Sequence, residues 1–258
     1  MNNTEKAMVD ILKNLRDNYC VTGVKAEFEA EGTRLDEALR LKEIVMKSEL
    51  GLTIKIGGCE AIKDMYECRT IGVDRVVAPM IESAYALKKY IMATKIAFTD
   101  EEREDIKFSA NIETILGVSN FDEMLSIPEV EFLDGIVMGR VDLTGSMGLS
   151  RNDINSYEVF NITKELFTKS KKRGMENAVG GGVSAYSIPF IKELQPDRFE
   201  TRKVIFKCPE ALEKDTEKGI LKAVEFEVLW LRNKKEYYRS ASLEDYTRLK
   251  MLEDRYLK

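Results

Sequence analysis

Short β-rich runs alternate with longer helical segments from about residue 21 to residue 235 of this chain. In the longer segments, such as DEALRLKEIVMKSE, apolar residues recur every three or four positions, as they do on the core-facing side of a helix. Repeated strand–helix units of this kind assemble around a parallel sheet. The pattern predicts seven strands, near residues 23–29, 51–56, 73–78, 106–112, 134–138, 176–182 and 198–206.

The chain length of 258 residues is close to the ~250 residues of one TIM-type (β/α)8 barrel. We therefore predict an α/β fold in which residues 1–258 form a single barrel domain. Residues 209–258 form a helical C-terminal segment, with helices at 209–235 and 242–257 and a break in EYYRSAS. The second helix carries an apolar stripe that we expect to pack on the barrel or on a neighbouring subunit. Its residues are Leu243, Tyr246, Leu249, Leu252 and Tyr256.

The charge and the apolar runs of the chain argue against two classes of partner. The formal net charge is -5, and no block of Lys and Arg is dense enough to neutralise a phosphate backbone, so we expect no nucleic acid. No stretch approaches the ~18 consecutive apolar residues that a membrane span needs. The first residues carry acids rather than the apolar run of a secretory signal. We therefore expect a cytoplasmic protein with no membrane partner.

The chain contains no histidine. Its absence excludes Ser-His-Asp triads, Cys-His dyads and zinc sites built on imidazole. The cysteines are scattered without a C-x-x-C pair, and we assign them no chemistry. Any catalysis must therefore use carboxylates, Lys, Arg, Tyr, backbone amides or a metal with oxygen ligands.

The segment 111–148 carries the strongest candidate site. Glu113 follows one predicted strand and Asp142 follows the next. In a parallel barrel both strand ends meet at the same mouth, where active sites are built. Two neighbouring carboxylates repel each other unless a metal or a shared proton compensates their charge. Because no imidazole ligand is available, a hard ion such as Mg²⁺ or Mn²⁺ is the natural partner.

The turn GRVDLTGSMG, which contains Asp142, is rich in glycine. Glycine allows a close backbone approach, so the amides of this turn could cradle a carboxylate or an enolate oxygen. The same glycines are equally consistent with a strand-to-helix turn that needs them only for its geometry. Both interpretations stay open on this turn alone.

Three motifs resemble the HpcH/HpaI aldolase and citrate lyase beta-chain family. They are Ile112-Glu113-Thr114, the run from Asp134-Gly135 to Gly148, and VAPMIESAYALKKYI at residues 77–91, within a weaker resemblance over residues 21 to about 206. The resemblance implies a (β/α)8 barrel that forms trimers or hexamers with an exchanged C-terminal helix. It also implies metal-dependent cleavage or formation of a carbon–carbon bond beside a 2-oxo acid or an acyl thioester.

The resemblance also assigns roles to residues of this chain. Glu113 and Asp142 fall on the two metal-ligand positions of the family. The amides of Gly139, Arg140, Val141 and Asp142 fall where the family grips the carboxylate of pyruvate or oxaloacetate. These residues are therefore the expected binding site for the 2-oxo acid.

The chain departs from the family at the general base. The aldolase branch has D-x-E-H at its second strand, whereas this chain reads Glu27-Phe28-Glu29-Ala30, and Thr70 replaces the aspartate that partners the histidine. Lys55 stands where the family has a carbonyl-polarising arginine, and lysine lacks the bidentate fork. We expect Lys55 and Glu29 to take the catalytic roles. The base would be a carboxylate such as Glu29, a metal-bound hydroxide or a substrate phosphate. A structural salt bridge is the alternative for Glu29.

The first strand of the family is absent, because a helix at residues 4–18 leads directly into what aligns as the second strand. We therefore expect seven regular strands and a gap. The unpaired edges of that gap need a cover. The N-terminal segment, the C-terminal tail or a partner subunit could provide it.

Three further basic residues are candidates for the site. Arg140 stands where the family often has proline, and it is either a ligand for a substrate phosphate or distal carboxylate, or a surface arginine. Arg202 and Lys203 lie in the last predicted strand, where charged residues are unusual for a barrel interior. We expect Arg202 to face the substrate. Lys203 invites comparison with Schiff-base aldolases, but the acid pair favours the metal-dependent class.

The leading hypothesis is a divalent-metal-dependent lyase or aldolase that acts on a 2-oxo acid, makes or cleaves a sugar-acid-like product, and forms a homo-oligomer. An acyl-CoA lyase of the citrate lyase beta-chain type is one alternative, and a phosphoenolpyruvate-using mutase or synthase on a related barrel is another. The missing His–Asp dyad, the Lys-for-Arg change and the missing strand favour a third alternative. This is a non-catalytic barrel that binds an oxo acid or belongs to a complex.

Overall fold

The computed structural model describes residues 1–237 and 243–257. Eight strands within these residues form one closed barrel in sequence order, which confirms the predicted α/β barrel. The first seven are parallel neighbours, and the eighth is antiparallel to both the seventh and the first. The strands are β1 (Val21–Glu27), β2 (Gly51–Lys55), β3 (Arg75–Ala78), β4 (Lys107–Asn111), β5 (Gly135–Gly139), β6 (Glu176–Gly180), β7 (Arg198–Glu200) and β8 (Val204–Lys207).

The helices lie outside the barrel, before, between and after the strands. None of those in the described part of the chain has the length and apolarity needed to span a membrane. They are α1 (Asn3–Tyr19), α2 (Leu35–Lys47), α3 (Ile62–Ile71), α4 (Ala84–Ala97), α5 (Asp100–Asp105), α6 (Ile115–Ser119), α7 (Phe121–Ser126), α8 (Arg140–Ser146), α9 (Tyr157–Lys171), α10 (Ile188–Leu194), α11 (Thr216–Tyr237) and α12 (Leu243–Tyr256).

The predicted strand at 198–206 is wrong as a single element, because the chain reverses within it. The Thr201 amide donates to the Val204 carbonyl (2.9 Å), and the Val204 amide donates to Thr201 Oγ1 (3.1 Å). These bonds close a tight turn over Arg202 and Lys203, so their charged side chains belong to a turn rather than to a strand. The returning strand β8 pairs with β1 and fills the expected gap.

Helix α1 covers the outside of the barrel and confirms the helix predicted at 4–18. Its first turn is held by a capping box, in which the Glu5 amide donates to Asn2 Oδ1 and the Asn2 amide donates to Glu5 Oε2, both at 2.8 Å. Tyr19 lies so close to α11 that a Cβ on Gly219 would be 2.9 Å from its ring. Glycine at that position therefore allows α11 to pack against α1.

The C-terminal segment folds as two helices, although the first begins at Thr216 rather than at residue 209. Residues 238–242 of the predicted break and the side chain of Leu243 lie outside the described residues. From the expected stripe, Leu249 and Leu252 are buried, whereas Tyr246 is exposed. These leucines pack on α11 of the same chain, against Val224, Val228 and Leu231. Exchange of α12 between subunits of a trimer or hexamer stays a prediction.

We predict that Phe206→Ala strongly destabilises the barrel. The ring is 1% exposed and stacks on Phe199 at 4.6 Å between centroids, so it joins the two strands of the closing hairpin. Emptying such a site typically costs about 3–5 kcal/mol. Urea unfolding should show this loss. Phe132→Ala is the control, because Phe132 is 57% exposed; an equal loss in both variants would contradict the role of β8.

Candidate active site

A cavity of about 490 Å³ opens at the carboxyl ends of the parallel strands. Its inner part is lined by the ends of the strands and the loops that follow them, including Lys55, Asn111, Glu113, Gly139 and Asp142. Its outer part is lined by α11 and α12. This is the end of the barrel at which active sites of the fold are built.

Glu113 lies two residues after β4 and is 2% exposed. Its Oε1 accepts a hydrogen bond from the Met80 amide (3.1 Å), and its Oε2 accepts one from Asn111 Nδ2 (2.8 Å). Asn111 Oδ1 is buried and has no hydrogen-bond partner among the described residues. The carboxylate is thus fixed in place, with an unsatisfied oxygen beside it.

Glycine at position 139 leaves room for this carboxylate. A Cβ on Gly139 would lie 2.4 Å from Glu113 Oε2, closer than real contacts allow. Gly139 ends β5, and Asp142 follows it in the first turn of α8, exposed at the cavity wall. Burial raises the pKa of Glu113, and Asp142 raises it further against the opposing charge of Lys55. The two predicted metal ligands therefore line the same cavity.

Lys55 at the end of β2 forms ion pairs with two other predicted site residues, Glu29 and Glu113. Its Nζ is 2.9 Å from Glu29 Oε2 and 3.4 Å from Glu113 Oε1. Burial opposes its charge, but Glu113, Glu27 and Glu29 together raise the pKa of Lys55. Lys55 therefore remains a cation at neutral pH and can stabilise negative charge, but it cannot accept a proton.

The wall next to β5 is formed by the backbone of Gly180, Gly181 and Gly182, where Gly180 pairs with Gly139. Gly181 has φ +77°, and a Cβ there would lie 2.5 Å from the Arg140 amide nitrogen and 2.7 Å from that of Val141. A residue with a side chain would be strained and would press on these two amides. The glycine loop thus keeps the start of α8 free of side chains.

The structure corrects the role expected for the Arg140 side chain. Its guanidinium is fully buried, and it donates to the carbonyls of Gly180 (3.0 Å) and Gly181 (3.1 Å) and to Asn155 Oδ1 (2.5 Å). It also lies over the ring of Phe190, 4.8 Å from the centroid. Arg140 therefore holds the glycine loop in position, and only its amide is left to meet a substrate.

Arg202 lies at the cavity wall, as predicted, but it is engaged in a buried ion-pair network. Its Nε is 3.0 Å from Glu31 Oε1, and its Nη2 is 3.7 Å from Glu27 Oε2. Lys203 pairs with the same Glu31, is 1% exposed, and is not part of the cavity lining. This position of Lys203 gives no support to Schiff-base chemistry.

Lys25 extends this network in a way that the sequence patterns did not indicate. Its Nζ lies 2.7 Å from Glu200 Oε1 and 3.4 Å from Glu27 Oε1. Burial alone would raise the pKa of Glu27, but Lys25 and Arg202 hold it at about 2. Glu27 is therefore an anion that is fully engaged by cations, and it is a poor base.

The residues at the mouth of the cavity fit a hard divalent metal that takes only a few of its ligands from the protein. No group of three or more His, Cys, Asp and Glu side chains within residues 1–237 and 243–257 is arranged to hold a metal. Glu113, which contacts Asn111 with its unsatisfied Oδ1, and Asp142 nevertheless offer oxygen ligands within one cavity. Mg²⁺ commonly binds through one or two carboxylates and takes its other ligands from water and substrate. Asn111 could have been identified from the sequence, since residues 111 and 113 share a face.

Comparisons with known proteins agree with the observed fold. A family model described as HpcH/HpaI aldolase/citrate lyase matches residues 36–183. The chain is similar to the solved structure of the citrate synthase SbnG (TM-score 0.58, 15% identity, 75% of this chain and 81% of that chain). It is also similar to an HpcH/HpaI aldolase/citrate lyase family protein from Burkholderia cenocepacia J2315 (TM-score 0.58, 12% identity, 73% and 80% covered). At such identities the structures show a common fold. No curated protein matches the chain in sequence.

We predict that Glu27→Gln destabilises the protein at neutral pH and progressively less in acid. The folded-state pKa of about 2 lies below the ordinary 4.5. Its charge therefore contributes stability above pH 4.5 that is lost as the pH falls through about 2. Removing one partner of a buried ion pair typically costs about 3–5 kcal/mol.

Urea midpoints of the wild type and Glu27→Gln, measured from about pH 7 to about pH 3, should converge in acid. Glu49→Gln is the control, because the Glu49 side chain is 80% exposed and its ion pair is on the surface. A difference for Glu27→Gln that does not change with pH would contradict the assigned charge.

Proposed function

Because this chain belongs to the HpcH/HpaI aldolase/citrate lyase family, we propose that it is a lyase that cleaves or forms a carbon–carbon bond next to a 2-oxo acid. We further propose that it depends on Mg²⁺ or Mn²⁺ held by Glu113 and Asp142. The observation that carries the proposal is the buried Glu113 carboxylate, which is fixed by two hydrogen bonds and lines the same cavity as Asp142. No histidine is needed for such a site.

The bound metal would supply a Lewis acid that polarises the keto group and stabilises negative charge as the bond breaks. The carboxylate of the 2-oxo acid would lie against the amides of Arg140 and Val141, which Gly181 keeps free of side chains. Backbone amides bind anions well at such a turn. The substrate would thus be oriented by main-chain atoms alone on this side.

Lys55 would add a positive charge beside the reacting carbonyl. Its position between Glu29 and Glu113 keeps it protonated, so it can donate a hydrogen bond to oxygen as charge develops there. An arginine would offer two parallel donors, whereas lysine offers one point charge. We therefore assign Lys55 to oxyanion stabilisation and not to proton transfer.

Glu29 is the carboxylate we assign as the general base. It contacts Lys55 and retains 28% side-chain exposure toward the cavity, whereas Glu27 is 6% exposed and engaged by Lys25 and Arg202. In the cleavage direction Glu29 would take the proton from the hydroxyl whose carbon leaves as a carbonyl product. The electron pair of the broken bond would pass to the 2-oxo acid, which is then protonated.

A second candidate function is a barrel that binds a 2-oxo acid without turnover. The ion pair between Lys55 and Glu113 favours this candidate, because Lys55 already compensates part of the negative charge that a metal would neutralise. The two candidates differ in whether an oxo acid binds only together with a metal.

We predict that oxalate, a mimic of the pyruvate enolate, binds only in the presence of Mn²⁺. Calorimetric titration of the wild type should show Mn²⁺ binding followed by oxalate binding. Glu113→Gln and Asp142→Asn should each weaken Mn²⁺ binding by more than the ~10–100-fold typical when a ligand's hydrogen-bond partner is lost. Metal-independent oxalate binding would support the second candidate, and binding of neither ligand to the wild type would overturn the lyase.

We also predict that Gly139→Ala impairs the same site. The new Cβ would meet Glu113 Oε2 at 2.4 Å and push the carboxylate from its position. Mn²⁺ affinity should fall by at least ~10-fold, as when the surroundings of a metal ligand are disturbed. Gly145→Ala in α8 is the matched control, since its Cβ would meet nothing within 4 Å. Loss of affinity in both variants would contradict this role of Gly139.

A further inference from the structure

Besides Arg202, three arginines line the same cavity as Glu113 and Asp142. Arg151 begins a short 3-10 helix (Arg151–Asn155) that follows α8. Arg248 and Arg255 lie on α12, seven residues apart and therefore on one face of the helix. Two distant parts of the chain thus place positive charge on the outer wall of one cavity.

The charges of these arginines are only partly balanced. Arg248 pairs with Glu227 (Nε–Oε1, 3.0 Å). Neither Arg151 nor Arg255 has an ion pair with a carboxylate among residues 1–237 and 243–257. Burial lowers the pKa of Arg151, and the charges of Arg248, Arg255 and Arg202 lower it further, against the opposing charge of Asp142. Repulsion between the arginines is therefore only partly offset by the carboxylates of the chain.

The chain as a whole gives no reason for such an excess of positive charge. It has 45 acidic and 40 basic residues, so carboxylates are available in number to pair with surface arginines. Ligand anions are the usual partners of unpaired arginines in a cleft.

The rest of the outer wall limits the size and nature of the ligand. Val224, Met251 and Leu252 are apolar, and Tyr186 and Tyr256 flank them. A cavity of about 490 Å³ can hold a 2-oxo acid and a second small molecule. A small organic body with a charged end fits this wall.

We propose that Arg151, Arg248 and Arg255 bind the phosphate monoester of a second substrate, which reacts with the 2-oxo acid held at Glu113 and Asp142. This inference rests on the proposed lyase function. With Arg248 paired with Glu227, Arg151 and Arg255 provide two positive charges that have no ion pair within residues 1–237 and 243–257. Two such charges suit the roughly -1.5 to -2 charge of a phosphate monoester at neutral pH. The planar fork of arginine also fits phosphate oxygens.

The test is calorimetric titration of the whole protein with inorganic phosphate at constant ionic strength, without metal or oxalate. Arg151→Gln and Arg255→Gln should each weaken phosphate binding by about 10-fold or more, as expected for loss of a charge-assisted contact. Arg248 is left intact, because its ion pair with Glu227 holds α12 on α11. Arg173→Gln is the matched control, since Arg173 is exposed and outside the cavity.

Each other outcome overturns the proposal. Equal weakening by Arg173→Gln would mean general surface attraction, and no binding to the wild type would mean that no phosphate site exists. Tighter binding of malonate than of phosphate would assign the cluster to a dicarboxylate. Circular dichroism of each variant separates loss of the site from loss of the fold.

Failure of the phosphate site and failure of the lyase function can be told apart by experiment. Glu113→Gln should leave phosphate binding intact, because Glu113 lies at the inner part of the cavity. If phosphate binding depends on Arg151 and Arg255 while Mn²⁺ and oxalate do not bind, the anion site stands and the lyase fails. If Mn²⁺ and oxalate bind and phosphate does not, the lyase stands and the phosphate-bearing second substrate fails.

Discussion

The antiparallel return of β8 is the contact on which the rest of this barrel depends. Seven parallel strands would leave the edges of β7 and β1 unpaired, and β8 pairs with both. It also carries the chain back to the far end of the barrel, where α11 begins. Because α11 has 22 residues, it extends about 33 Å, which is enough to bring α12 to the mouth. The closing hairpin thereby determines what covers the cavity.

Opposite charges inside the mouth form a second constraint. Lys25 lies between Glu27 and Glu200, and Lys55 lies between Glu29 and Glu113. Buried charges are costly unless each has partners, and here cations and anions alternate around the strand ends. The alternation also determines which groups can exchange protons. Cations hold Glu27 as an anion, whereas burial favours the protonated form of Glu113.

The sequence predicts the barrel and the acid pair because both depend on local patterns. Strand periodicity and the position of Glu113 and Asp142 after consecutive strands require no knowledge of distant contacts. The hairpin was missed because Arg202 and Lys203 carry no glycine, proline or asparagine signal between two apolar runs. The burial of Arg140 was missed because its partners, Gly180, Gly181 and Asn155, are far along the chain. Arg248 and Arg255 were not predicted, because the pattern of their helix indicates only its apolar stripe.

The family match divides the cavity into two parts with different origins in the chain. Residues 36–183 include β2 to β6, and with them Lys55, Glu113 and Asp142. Several elements lie outside the match. They are β1 with Glu27, the loop residue Glu29 that follows it, the closing hairpin and both C-terminal helices. The departure Glu27-Phe28-Glu29-Ala30 at the base therefore lies outside the match, whereas Thr70 and Lys55 depart from the family within it. Under the proposed function, the matched part would supply Glu113 and Asp142 for the 2-oxo acid, and the unmatched α12 would add Arg248 and Arg255 on the side of the second substrate. A change in α12 could then change the second substrate while the site for the 2-oxo acid is kept.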